Sequence, residues 1–251
     1  MFSGVLQISS SRNICYGIVN SRSYQEYLDL IMVSKVPSPF LFIHIPKCAG
    51  SSVENALIPR ITGKGNWRGL SQETQNELAI PGSIDVRQHA KLRWFEENGY
   101  DLQMFFKFGV VRNPYDRAIS EIDYLRRHSP RGRKVFAGRT WREDLLTLAS
   151  LKDNINGHDF SACQIDWLKN QHGKIDMDLI IKLEDLEDQW PEVLKTIFRK
   201  THEAYDFRFE KLPRDNTQGR QQPWWEFYDE RTRRAVAAKW SRDFEVLGYE
   251  K

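Results

Sequence analysis

Two short stretches of the chain carry the residue types that bind anions. The first is His44-Ile45-Pro46-Lys47-Cys48-Ala49-Gly50-Ser51-Ser52. Lys47 supplies a full positive charge, Ser51 and Ser52 supply hydroxyl donors, and Gly50 allows close backbone approach. Where such a stretch joins a strand to a helix, backbone N–H groups converge and the helix N-terminus adds partial positive charge, which suits a phosphoester. The second is Val111-Arg112-Asn113-Pro114-Tyr115-Asp116-Arg117-Ala118-Ile119-Ser120. Arg112 offers a planar fork for a phosphate dianion, and Ser120 a hydroxyl eight residues on. The alternative for this stretch is an ion pair of Arg112 or Arg117 with Asp116 at a helix start. Two anion-binding turns in one chain favour the ligand reading. The order differs from the nucleotide loop G-x-x-x-x-G-K-[ST], because Lys47 precedes Gly50 and Ser51 follows glycine. A triphosphate site using Glu184 or Asp185 for Mg²⁺ is therefore disfavoured.

The elements around these turns follow from local pattern. Phe40–Ile45 and Phe105–Val111 are almost wholly apolar and read as strands covered on both faces. Leu179–Leu183 reads as a third strand. Ser51 with Glu54 three residues on predicts an N-cap and capping box. Pro114 predicts the first turn of a helix carrying Tyr115, Ala118, Ile119 and Ile122 on one face. A helix is expected over 91–98. Another, with Pro191 near its start, buries Trp190, Val193, Leu194, Ile197 and Phe198. A last helix is expected over 229–240. Residues 59–70 and 128–140 read as loops. Strands alternating with helices imply a three-layer α/β fold of P-loop type, with a central, mostly parallel sheet flanked by helices. The expected organisation is an extension over 1–38 and a single domain over 39–251.

Composition narrows the function classes. Of 251 residues, 40% are hydrophobic and 28% charged, enough apolar material for one full core. Lys+Arg 37 against Asp+Glu 34 leaves +3, too small for a generic nucleic-acid binder. Cys15, Cys48 and Cys163 have neither disulfide-framework nor zinc spacing, so a reducing compartment and no metal are expected. No apolar run reaches the roughly 18–20 residues of a membrane span. The first 31 residues, with Arg12 and Arg22, read as an extension, an organelle transit peptide, or the product of a start placed before Met32. Cytoplasm is the expected location.

The two turns resemble the 5′-phosphosulfate loop and 3′-phosphate motif of the carbohydrate-type sulfotransferase family 2, which includes heparan sulfate 2-O-sulfotransferase. The family pattern I-P-K-x-x-G-[ST]-[ST] is similar to Ile45–Ser52, and R-N-P-x-x-R-x-x-S to Arg112–Ser120. The resemblance continues loosely through Asp178–Leu186 to Asp243–Tyr249, covering roughly 40–249. It departs at Lys182-Leu183-Glu184, where the family commonly has Arg before Phe-Glu, so no role is carried over there. The resemblance implies a donor, 3′-phosphoadenosine-5′-phosphosulfate (PAPS), whose sulfuryl group passes to a hydroxyl, expected on a carbohydrate. It implies that Lys47, Cys48, Ala49, Gly50, Ser51 and Ser52 hold the 5′-phosphosulfate, and that Arg112 and Ser120 hold the 3′-phosphate. A donor with phosphate groups at both ends of its ribose needs two such sites.

Sulfuryl transfer needs in-line placement, stabilisation of the leaving phosphate and removal of the acceptor proton, without a metal. Lys47 suits the leaving oxygen. For the base, histidine comes first. His89 lies between the two motifs, at the position that resembles the family's histidine base; otherwise it is a surface or capping histidine. His44 is the runner-up base, read in preference as a core histidine bonded to backbone; His158 reads as a loop residue, and Glu54 and Glu121 stand as alternative bases. Cys48 has no histidine placed to make it a nucleophile. From Arg112 to Arg142 there are nine basic residues against three acids, a candidate rim for an anionic acceptor or simply a solvated face. Trp67, Trp224 and Trp225 are candidates for stacking on a sugar or for packing, and 214–220 for a loop over the nucleotide. The rival readings are a P-loop nucleotide kinase and a non-catalytic anion- or glycan-binding module on the same scaffold.

Overall fold

The computed structural model describes residues 40–62, 89–103, 105–138, 140–152, 154–155, 159, 161–198, 212, 220 and 222–251. The expectations for 1–38, for 63–70 with Trp67, for Arg139, His158 and His202, and for 214–219 lie outside the described residues.

In chain order the main elements are β1 (Phe40–Ile43), α1 (Gly50–Thr62), α2 (Leu92–Glu97), β2 (Phe106–Val111), α3 (Pro114–His128), α4 (Pro130–Val135), α5 (Trp141–Ser150), β3 (Leu179–Lys182), α6 (Leu186–Phe198), α7 (Glu230–Lys239) and α8 (Ser241–Leu247). The strands form one parallel sheet in the order β1-β2-β3. Phe40 lies beside Phe106 and Ile43 beside Gly109; Phe108 then lies beside Leu179 and Val111 beside Lys182. All four residues of β1 are buried, as an apolar run covered on both faces requires. Parallel pairing sends three strand ends to one edge of the sheet. There β1 passes through 44–49 into α1, β2 passes through Arg112 and Asn113 into α3, and β3 passes through the 3₁₀ turn Leu183–Asp185 into α6. Ligand sites of open α/β sheets form at that edge.

Two apolar clusters hold the elements together. One joins the sheet to α1, α2 and α6 through Val53, Leu57, Phe95, Trp190 and Leu194. The other lies among α3, α5, α7 and α8, with Ile119, Ile122, Leu148, Val236 and Phe244. Leu247 and Tyr249 touch both. Each fully buried large apolar side chain contributes roughly 1.5–3 kcal/mol. Asn113 caps α3 by accepting from the Tyr115 N–H at 2.9 Å, with Pro114 at the first helical position as expected.

Three local expectations are corrected. Helix α1 continues through Pro59 to Thr62, so the loop begins later than the proline suggests. Residues 130–135 form α4 inside the stretch read as a loop: Ser129 caps it, and Gly132 is buried so tightly that a Cβ there would lie 2.4 Å from the Leu125 carbonyl oxygen. The N-cap expected at Ser51 is not formed, because α1 already starts at Gly50 and the Glu54 carboxylate turns elsewhere.

Candidate functional site

The connection after β1 is a tight, strained turn. Lys47 and Ala49 both adopt left-handed backbone conformations, with φ of 66° and 60°. Neither is glycine, and such residues cost of order 1–3 kcal/mol unless the surroundings fix them. They flank Cys48 and lead directly into α1, whose first N–H groups have no acceptor within the helix. Alternation of left- and right-handed residues makes a concave nest of N–H groups that suits an anion. The Cys48 N–H closes the turn onto the Ile45 carbonyl at 3.3 Å, and the Val53 N–H reaches the Ala49 carbonyl at 3.1 Å. Cys48 itself is buried, and burial pushes its thiol up to about 12.

The second turn fastens the first. Arg112 donates from Nη1 to the Lys47 carbonyl at 3.2 Å, and Arg117 from Nε to the Pro46 carbonyl at 3.2 Å. Arg112, just before α3, and Arg117, at its start, therefore hold two successive carbonyls of the strained turn. Arg112 also forms the ion pair that was the alternative to a ligand role, with Nε and Nη2 on Asp116 Oδ2 at 2.9 and 2.8 Å. Arg220 reaches the other oxygen of the same carboxylate. Asp116 thus sits between two guanidinium groups at the mouth of the turn.

Lys47 Nζ rests 4.0 Å from the centre of the Tyr124 ring, on α3. Burial lowers the Lys47 pKa; Glu121 works against this and Arg112 with it. Ser120, one turn before Tyr124, is buried on the same helix. Lys47 and Arg112 therefore meet at the strand-end edge, and Ser120 lies on α3, the helix whose Tyr124 ring Lys47 covers.

The histidines meet beneath the turn. His44 is 5% exposed and Glu54 3% exposed, and His44 Nδ1 donates to Glu54 Oε1 at 2.7 Å. This corrects the expectation that His44 bonds to backbone, and it engages the carboxylate of Glu54, one of the alternative bases. His89 Nδ1 lies 3.2 Å from the His44 carbonyl oxygen. A carbonyl only accepts, so Nδ1 carries the proton and the neutral ring keeps its lone pair on Nε2. The His44 and His89 rings meet edge to face at 4.7 Å. The Trp167 indole N–H holds the His89 carbonyl at 2.9 Å from the other side.

A family model described as "Sulfotransferase family" matches residues 30–250. The chain belongs to the sulfotransferase family. It falls in the carbohydrate sulfotransferase family 2, which includes members like heparan sulfate 2-O-sulfotransferase. No curated protein and no solved structure matches it. Sulfuryl transfer is the chemistry of this family, and the match spans both turns and His89.

This sulfotransferase fastens its site with residues that the sequence did not reveal. Gln164, 0% exposed, receives the Arg112 N–H on Oε1 at 2.8 Å and donates Nε2 to the Arg112 carbonyl at 2.8 Å. The Cys48 thiol donates to the same Oε1 at 3.1 Å. Asp243, on α8, accepts from the Gln164 and Ile165 N–H groups at 2.8 and 3.1 Å, and its burial raises its pKa. One amide side chain thus ties both turns to the C-terminal helix. The only sequence signal was a glutamine set between the apolar Cys163 and Ile165. At β3, where the family arginine is missing, Lys182 caps the Gly248 carbonyl at 3.1 Å, and Glu184 accepts from the Asn113 N–H at 2.9 Å. Trp224 stacks on Tyr115 at 5.1 Å and is packing, whereas Trp225 is exposed. Among the described residues no group of three His, Cys, Asp or Glu side chains could hold a metal ion, and no helix is long and apolar enough to cross a membrane.

Proposed function

We propose that this sulfotransferase moves a sulfuryl group from PAPS to a hydroxyl of a carbohydrate, with His89 as general base and Lys47 as leaving-group stabiliser. The observation that carries this reading is the Arg112 Nη1 bond to the Lys47 carbonyl, which joins the turns after β1 and β2 at one edge of the sheet. A donor carrying phosphate on both sides of a ribose needs that juxtaposition. The nest at 47–49 and the start of α1 suit the 5′-phosphosulfate, and Arg112 with Ser120 the 3′-phosphate. In the transfer, the sulfur–oxygen bond to the donor phosphate breaks as the acceptor oxygen bonds to sulfur. His89 Nε2 takes the acceptor proton, and Lys47 meets the charge growing on the bridging oxygen. A polar cleft of about 280 Å³ begins at Lys91, two residues from His89, and is lined also by Arg93, Glu97, Asp166, Lys169 and Asn170. Such side chains suit the hydroxyls of a sugar.

Calorimetry with 3′,5′-adenosine bisphosphate tests the donor site. Each charge-assisted contact is worth about 1.5–3 kcal/mol, so Lys47→Ala and Arg112→Ala should each weaken binding roughly tenfold to a hundredfold. Unchanged affinity in both variants refutes the site. Transfer of ³⁵S from labelled PAPS to a panel of glycans, phenols and small alcohols tests the reaction. Mg²⁺-dependent ATP binding instead would favour a kinase, and bisphosphate binding without transfer a non-catalytic module.

A further inference from the structure

Beneath the donor turn lies a buried ionisable pair that the transfer chemistry does not use. Removing two such groups from water costs several kcal/mol per ion unless their geometry is well matched. The Glu54–His44 pair is matched, and its surroundings leave the ring little freedom. The Glu54 carboxylate holds Nδ1 at 2.7 Å. The Cδ2–Nε2 edge lies against Gly50, where a Cβ would fall 2.0 Å from both atoms. The Phe42 ring lies 5.9 Å away at 32°, and the His89 ring 4.7 Å away at 84°. The same residue's carbonyl accepts the His89 Nδ1 proton. His44 therefore touches the donor turn with its ring and the proposed base with both its ring and its backbone.

We propose that Glu54 and His44 are positioning residues that hold His89 in its reactive placement and tautomer and couple that placement to the donor turn through Gly50. This rests on the reading of His89 as base. His44 sits at the end of β1 and Glu54 in the second turn of α1, so the pair closes a bracket around the strained turn. The carboxylate stops the His44 ring from rotating. A fixed ring gives His89 a wall to pack on and keeps the His44 carbonyl aimed at Nδ1. Misplacement of a catalytic group by about 1 Å costs on the order of a hundredfold in rate.

The test measures ³⁵S transfer, on the panel member the parent enzyme sulfates, and bisphosphate affinity by calorimetry. Glu54→Ala should lower kcat tenfold or more while the affinity changes less than threefold. Glu54→Gln keeps an acceptor oxygen for Nδ1 and should return kcat to within threefold of the parent. His44→Asn keeps a donor for Glu54 but removes the ring edge; it should show the loss of Glu54→Ala and carries the test if that variant does not fold. Because the pair acts through His89, Glu54→Ala combined with His89→Ala should be no slower than His89→Ala alone. Full turnover in both Glu54→Ala and His44→Asn overturns the proposal. So do additive losses in the double variant, or equal losses of kcat and bisphosphate affinity. Full turnover in His89→Ala is a separate result, which removes the base assignment and the proposal with it.

Discussion

Replacing Gly50 by alanine should destabilise the protein, although helix propensity alone says the reverse. Gly50 is the first residue of α1 and its φ is not positive, so a Cβ meets no torsional strain there. In a helix, alanine is favoured over glycine by about 1 kcal/mol. The new methyl carbon, however, would lie 2.0 Å from His44 Cδ2 and Nε2 and 2.4 Å from Cε1. The ring cannot move aside cheaply, because Glu54 holds it at 2.7 Å and the Phe42 and His89 rings lie against it. Overpacking of this kind costs roughly 1–3 kcal/mol. Expelling the ring from its hydrogen bond to a charged partner adds roughly 1.5–3 kcal/mol. Against the propensity gain, the net loss is about 2–5 kcal/mol, a fall in Tm of roughly 4–20 °C for a chain of this size. Urea denaturation gives the free energy and thermal melting the shift. Adding His44→Ala to Gly50→Ala should relieve the clash, leaving the double variant more stable than the sum of the two single losses. A Gly50→Ala protein within 0.5 kcal/mol of the parent, or strict additivity in the double variant, would refute the steric reasoning.

Gln164→Leu should cost about 2–5 kcal/mol in urea denaturation, since it leaves the Arg112 N–H and carbonyl without their amide partner; a loss below 1 kcal/mol would mean the amide is not the fastening described. It should also weaken bisphosphate binding, because both turns share that side chain. With its thiol at about 12 instead of 9.0, Cys48 carries on the order of a thousandfold less thiolate at pH 8. Peptide-resolved iodoacetamide labelling of the folded protein should therefore find it unreactive, and prompt labelling there would contradict its burial. Because the folded-state pKa is the higher one, the stability Cys48 contributes is complete below pH 9 and is lost as pH rises from 9 toward 12. Cys48→Ala should flatten that part of the stability-against-pH curve. Lys47 has the opposite sense: burial lowers its pKa, so the folded chain gives up the ammonium proton at a lower pH than the unfolded one, and anion binding should draw a proton onto the protein at alkaline pH. Calorimetry in buffers of different ionisation enthalpy reads that uptake.

The strands were legible because burial on both faces selects apolar residues: Phe40–Ile43 is wholly apolar and buried, and Phe106–Val111 departs from this only at its start, where Lys107 pairs with Asp176. The turns were legible because proline and glycine interrupt those runs next to cations. What stayed hidden depends on chain segments meeting. Glu54 looked like the partner of a capping serine, and only the doubling back of 44–49 brings His44 closer to it. Gly50 looked like room for a ligand, and the room is filled from below by an imidazole. Gln164 lies 116 residues from Cys48 and 52 from Arg112, beyond the reach of any local pattern. The density of arginine over 112–142 looked like a basic rim. In the fold Arg112, Arg126, Arg127 and Arg142 each face an aspartate, so much of that charge is already neutralised.

The Gln164–Asp243 link has a consequence for biosynthesis. Chains leave the ribosome N-terminus first, and domains complete as their last contacts emerge. The strand and turn that carry Lys47 are made well before Asp243, the carboxylate that clamps Gln164. A nascent chain whose α8 has not yet emerged would have its three strands in hand and the link between its two turns still unlatched. Products that stop before α8 should then hold 3′,5′-adenosine bisphosphate less well than products that include it, so bisphosphate-agarose would enrich chains carrying α8 from a translation mixture.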